Sequence, residues 1–173
     1  LASSSAASDV YKRQAELRPL AEDIYGSIEP TADLEERVWP EVQPLAESMT
    51  LTHSDPKVRQ EEWDQYWQST SYSVNTETLE PHALDLAAQI LGGGRTSRLY
   101  QELVEEQGVA VSAYAFSWTD LRATGLFGMG ASPAMGVDLE TVSEAAHAVL
   151  ADFIENGPTE EELARAQSSM IAS

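Results

Sequence analysis

Residues 83–113 read ALDLAAQILGGGRTSRLYQELVEEQGVAVSA, and the fold follows from this stretch. Ala83, Leu86, Ala87, Ile90 and Leu91 recur at helical spacing, and Leu79 extends the stripe upstream, so a helix is predicted over 79–91. Gly92-Gly93-Gly94 ends that helix. A second helix is predicted over 96–107, with Leu99, Leu103 and Val104 inward. From Val109 to Trp118 the pattern changes to alternation, the period of a strand.

Downstream, residues 119–122 (TDLR) turn the chain and 124–132 (TGLFGMGAS) supply a partner strand, loosened by Gly125, Gly128 and Gly130. Leu139, Val142, Ala146, Val149, Leu150 and Phe153 mark an amphipathic helix over 138–155. Asn156-Gly157-Pro158 breaks it, and Thr159 with Glu162 forms a capping box opening a last helix over 160–173. Upstream, Trp63, Tyr66 and Trp67 make 59–72 a strand by composition, although the same three also fit one helical face. A strand is expected over 45–53, followed by a turn at Asp55-Pro56. Residues 28–43, with Pro30, Pro40 and the acidic Asp33, Glu35 and Glu36, read as a linker running up to Pro44. Leu17, Leu20, Ala21 and Ile24 make 15–25 a short helix capped by Gly26. Helices and strand pairs come in blocks. The class is therefore α+β: a two-layer sandwich, its antiparallel-rich sheet carrying helices on one face.

Residues 1–14, LASSSAASDVYKRQ, have no hydrophobic period and no basic start before an apolar stretch, so they are not a signal peptide. They read as a non-native adapter, and the domain is assigned to 15–173. The last helix has no glycine, proline or basic turn to stop it, so a domain truncated at both ends is expected.

At 173 residues the chain suits one domain and can bury a core without staples. It has no cysteine, which removes disulfides, thiolate ligands and a cysteine nucleophile together. Ten basic against 29 acidic residues give a net charge of -19, which opposes nucleic-acid backbones and anionic membrane surfaces. No apolar run approaches the ~20 residues that cross a bilayer.

His53, His82 and His147 are far apart in sequence, and only Glu144 and His147 share a helix face, which reads as a solvated carboxylate–histidine pair. There is no HxxEH, HExxH or GxSxG. The run Gly92 to Arg98 lacks the Gly-Lys-Ser/Thr ending of a phosphate loop and follows a helix rather than a strand, so it reads as a helix–helix turn. The acidic runs at 102–106 and 160–162 lack a calcium-binding loop and read as solvated faces. Trp63, Tyr66 and Trp67 read as core packing. Read alone, the residues contain no self-contained catalytic set.

Three ordered segments go further: ELRPLAEDIYG at 16–26, LGGGRTSRLY at 91–100 and NGPTEEEL at 156–163. Together they resemble the insulinase/pitrilysin family of zinc metallopeptidases, which includes the mitochondrial processing peptidases. The resemblance spans 15–173 and implies the C-terminal, non-catalytic half. In that family the N-terminal half carries HxxEH, whose zinc activates a water and whose glutamate is the general base. The second half closes the chamber and helps hold an extended peptide substrate. The resemblance thus implies zinc in the parent protein and none in this segment. The implied partner is an N-terminal catalytic half or partner subunit, and no catalytic residue is expected here. Gly92, Gly93 and Gly94 match a glycine-rich loop that handles substrate. The family's Arg and Tyr in the following helix and strand are replaced by Val104 and Val111, which leaves Arg95, Arg98 and Tyr114 as nearby substitutes. The same family includes scaffold subunits without a zinc motif, the alternative reading; an unrelated acidic binding module is a third.

Overall fold

The structure, a computed structural model, describes residues 14–29, 37–38 and 42–172. The chain divides into two units, Leu1–Pro40 and Glu41–Ser173. Most of the 1–14 segment and of the 28–43 linker lies outside the described residues.

In the first unit, helix α1 is Gln14–Tyr25, with Gly26 N–H closing it on Glu22 O at 2.9 Å. Leu17, Leu20 and Ile24 of the predicted stripe are all exposed.

The second unit holds β1 (Trp63–Ser69), α2 (Glu80–Gly92), the short α3 (Arg98–Tyr100), a π-helical turn (Gln101–Glu106), β2 (Ala110–Trp118), β3 (Gly125–Pro133), α4 (Leu139–Asn156) and α5 (Glu160–Ala172). The sheet order is β1-β3-β2, antiparallel throughout, with β3 in the centre. The expected hairpin is β2–β3, with a register shift between Ala110 and Ser112. Helices pack on one face, giving the two-layer α+β sandwich expected. Leu91, Leu99, Leu103, Met129, Ala131 and Val142, each at most 1% exposed, form the core between the layers. Burial of each large side chain contributes about 1.5–3 kcal/mol.

Two expectations need correction. Residues 45–53 do not form a strand, and Leu45, Met49 and Leu51 are exposed. A segment becomes a strand only where a ladder partner exists. Gln68 ties this segment to the sheet through its side chain instead, Oε1 accepting from Leu45 N–H at 2.9 Å and Nε2–H donating to Gln43 O at 3.3 Å. The second predicted helix starts at Arg98 and widens into π geometry, with Gln107 N–H reaching back five residues to Glu102 O at 2.9 Å. The wide turn leaves Leu103 fully buried and Val104 packed beside the core. Gly108, at φ +65°, then swings the chain into β2.

Pairing resolves the aromatic segment. β1 is a strand, so Trp63 and Trp67 face the helices while Tyr66 lies on the other face, half exposed. Central Gly128 and Gly130 let flanking side chains fold over them. A Cβ at Gly128 would meet the Phe116 ring at 2.5 Å, and one at Gly130 would meet Asp64 Oδ1 at 2.3 Å. The open face thus carries Tyr66, Tyr114, Phe116 and Trp118 in successive ring contacts of 4.9–6.4 Å.

Candidate functional site

The glycine loop sits where α2 meets β2. A Cβ on Gly92 would lie 1.7 Å from Ala115 N and 2.4 Å from Tyr114 C, so only glycine lets the helix end touch the strand backbone. Gly94 has φ +119° and nothing near a built Cβ, so its glycine is required by conformation rather than space. Gly94 O then accepts from Ser97 N–H at 3.0 Å and Ser97 Oγ–H at 2.6 Å, and Ser97 is buried.

The other expected site residues diverge from there. Arg95 is exposed in the turn before α3 and reaches forward to that helix, with Nε–H on Tyr100 OH at 3.3 Å and the guanidinium 5.7 Å over that ring. Arg98 is an internal clamp. It donates to Glu162 through Nε at 2.7 Å and Nη2 at 2.8 Å, to Asp152 at 3.0 Å and to Gly157 O at 2.8 Å, and it lies over Phe153. Glu162 also completes the predicted capping box, accepting from Thr159 N–H at 2.8 Å, while Glu162 N–H donates to Thr159 Oγ1 at 3.2 Å. The Arg98 hydrogen bonds, assisted by those from Thr159, pull the Glu162 carboxyl down to about 2.

Tyr114 faces the open side of the sheet. Its hydroxyl lies 2.5 Å from Asp64 Oδ1 and 3.0 Å from Glu62 Oε1, and one proton serves one of them at a time. Burial first, then donation to these carboxylates, pushes the phenol well above its ordinary value. Val111 is exposed on β2, and Val104 packs against the core. The structure therefore brings Gly92 and the Tyr114–Ala115 backbone together, and leaves Arg95 and Arg98 to other contacts.

Beside the loop, β2 is an edge strand among the described residues. Its nine residues, AVSAYAFSW, contain no charge and no proline, the usual guards of an exposed edge. A cleft of about 520 Å³ runs along this edge, bounded by Tyr72, Asp85, Gln89, Ser117, Asp120 and Met170 among others. Asp85 is fixed there, accepting from Thr119 Oγ1–H at 2.7 Å and from the Tyr72 hydroxyl. Ser117 Oγ is buried without a partner. Sequence reasoning missed this cleft because its residues span 72–170 with no motif, and nothing in the sequence marked α2 as the neighbour of β2.

Among the described residues no three His, Asp or Glu side chains converge to hold a metal ion. His147 rests against Gln65 (Nε2 to Oε1 2.5 Å), Ser143 and the Trp63 ring rather than pairing with Glu144. His82 sits 3.1 Å from the Tyr72 hydroxyl. These residues do not fit a zinc site.

Solved chains of similar fold include a protease from Helicobacter pylori (TM-score 0.79, 18% identity, 92% of this chain and 38% of that one). A peptidase M16 inactive domain from Pseudomonas fluorescens matches at TM-score 0.54 and 25% identity over 64% of this chain and 26% of that one. A Bordetella pertussis Tohama I protein, assigned by name as a zinc protease, matches at TM-score 0.56 and 27% identity over 68% of this chain and 62% of that one. The chain thus spans less than two thirds of each of these relatives. No curated protein gives a significant match. The sequence model described as the peptidase M16 inactive domain matches residues 13–170, nearly the whole chain, and the chain belongs to that family.

Proposed function

We propose that this chain is the chamber-closing, substrate-contacting half of a zinc-dependent metalloendopeptidase, and that it holds an extended peptide along the free edge of β2 beside Gly92–Gly94. The unguarded β2 edge is the observation that carries this reading. Alternate residues of this nine-residue strand offer backbone donors and acceptors to a further strand, and a cleft lies alongside to receive its side chains. Zinc and the general base come from an N-terminal half or partner subunit carrying HxxEH. When bound there, zinc supplies a polarised water for attack on the peptide carbonyl. This chain contributes binding and orientation of the peptide, which lowers the barrier by positioning rather than by bond chemistry.

The test is reconstitution. The chain is mixed or co-expressed with its HxxEH-bearing half, and hydrolysis of an extended peptide is followed with and without a chelator. Zinc-dependent cleavage by the pair and none by either part supports the proposal; full cleavage by the upstream half alone sinks it. One observation favours a second reading, a non-catalytic scaffold subunit: Val104 and Val111 stand where the family resemblance puts Arg and Tyr. An intact upstream half without HxxEH decides for the scaffold.

A further inference from the structure

Asn156 and Gly157 make the one Asn-Gly step in the chain, at the C-terminus of α4. The other asparagine, Asn75, is followed by the β-branched Thr76. An Asn-Gly step is chemically labile, because glycine has no side chain to keep its amide nitrogen from the neighbouring carboxamide. In that reaction the Gly157 nitrogen loses its proton to water and attacks Asn156 Cγ. The new N–Cγ bond forms, the Cγ–Nδ2 bond breaks, and the nitrogen leaves as ammonia with a proton returned from water. Water then adds across one C–N bond of the succinimide, giving aspartate or isoaspartate. Asn156 is exposed, so water reaches it.

The fold restrains both reacting groups. Gly157 N–H donates to Phe153 O at 2.9 Å, and Asn156 Nδ2–H donates to Asp152 Oδ1 at 2.8 Å. Arg98 secures both restraints, with Nη2–H on Gly157 O at 2.8 Å and Nη1–H on Asp152 Oδ2 at 3.0 Å. Attack needs the Gly157 nitrogen freed and the carboxamide turned onto it, so the turn must open first. The product puts a second carboxylate one helical turn from Asp152, at the negative end of the α4 dipole, where a donor stood before.

We propose that Asn156 is a site of spontaneous deamidation gated by the Arg98 clamp, closed while Arg98 holds Gly157 and Asp152, and that its product weakens the clamp. Arg98 opens α3, so the change reaches the segment that follows the glycine loop.

The test incubates the 173-residue chain and a capped peptide of residues 150–160 at mildly alkaline pH. Peptide mapping follows the mass gain at Asn156, and hydrogen exchange follows the Gly157 amide. The folded chain should react at least about tenfold more slowly than the peptide, since only its locally opened fraction is reactive. Arg98→Ala and Asp152→Ala should each raise the rate at least about fivefold, in step with faster Gly157 exchange. Asp152→Ala, at an exposed position, decides if Arg98→Ala fails to fold. Val149→Ala, a cavity in the core on the same helix, destabilises the chain with the clamp intact and should react like wild type. Asn156→Asp, the product made directly, should lower the thermal midpoint by about 2–4 °C. No reaction in the peptide overturns the site. Reaction of the wild type at the peptide's rate, or no rise in the clamp variants, overturns the gate. An equal rise in Val149→Ala also overturns it, in favour of global unfolding. An unchanged midpoint for Asn156→Asp overturns the weakening of the clamp.

Discussion

Gly92 and Gly94 stand two residues apart and are glycines for different reasons. At Gly92 a side chain meets the backbone of β2; at Gly94 it meets nothing but the backbone is left-handed. Gly92→Ala should therefore cost ~3 kcal/mol or more, because backbone cannot yield to relieve the overlap. Gly94→Ala should cost ~1–2 kcal/mol from conformation alone. Chemical denaturation of both variants checks the ranking, and equal costs would contradict it. The loop was legible as three glycines, but which one touches the strand was not, since nothing in GGG distinguishes contact from conformation. Arg98 shows the opposite failure. Its place after the loop suggested substrate, yet Glu162, Asp152 and Gly157, from 54 to 64 residues away, claim its donors. Arg98→Ala should cost ~2–4 kcal/mol, since it strands a half-buried carboxylate. The sign with pH follows from Glu162, whose carboxyl falls from 4.5 unfolded to about 2 folded. Its contribution is complete above 4.5 and disappears as the pH falls through 2. The stability gap between wild type and Glu162→Gln, measured by urea unfolding, should be wide at pH 6 and narrow steadily towards pH 2.

At the scale of elements, the β2–β3 hairpin was legible because alternation, a polar turn and a second alternating run follow one another within the chain. Residues 45–53 misled because pairing is what makes a strand, and the segment itself does not show whether a partner exists. β1 is the converse case. Trp63, Tyr66 and Trp67 fitted two periods in sequence, and pairing of Trp63 with Ala131 and Trp67 with Phe127 selects the strand. The consequence is functional, since it places Tyr66 on the open face beside Phe116. Edge position also sets dynamics. Amides of central β3 are bonded on both sides of the sheet and should exchange slowest. Alternate amides of β2, facing outward, should exchange at least tenfold faster than their inward neighbours, as read by residue-resolved hydrogen exchange. Uniform protection along β2 would mean that its edge is already covered.

At the scale of the molecule, the helix layer and the sheet divide the work. Arg98, the capping box and the core hold the frame, while among the described residues the outer edge of β2 has no strand beside it. Calorimetry should show no tight zinc binding by the 173-residue chain at neutral pH, because its described histidines are spent on Gln65 and Tyr72 or stand alone. Stoichiometric zinc binding tighter than micromolar would show that the described residues omit a site.

The sequence by itself determined the α+β class, the hairpin, the helix limits near Gly92 and Asn156, the capping box and the family. Each depends on residues close together in the chain or on ordered motifs along it. Only the tertiary structure decided that β2 is an edge, that Gly92 abuts it, that Arg98 is a clamp and that a cleft joins Asp85, Ser117 and Met170. Those facts depend on which elements become neighbours, and neighbours here are brought together across roughly 20 to 85 residues by burial of one core, which leaves no local periodicity to read.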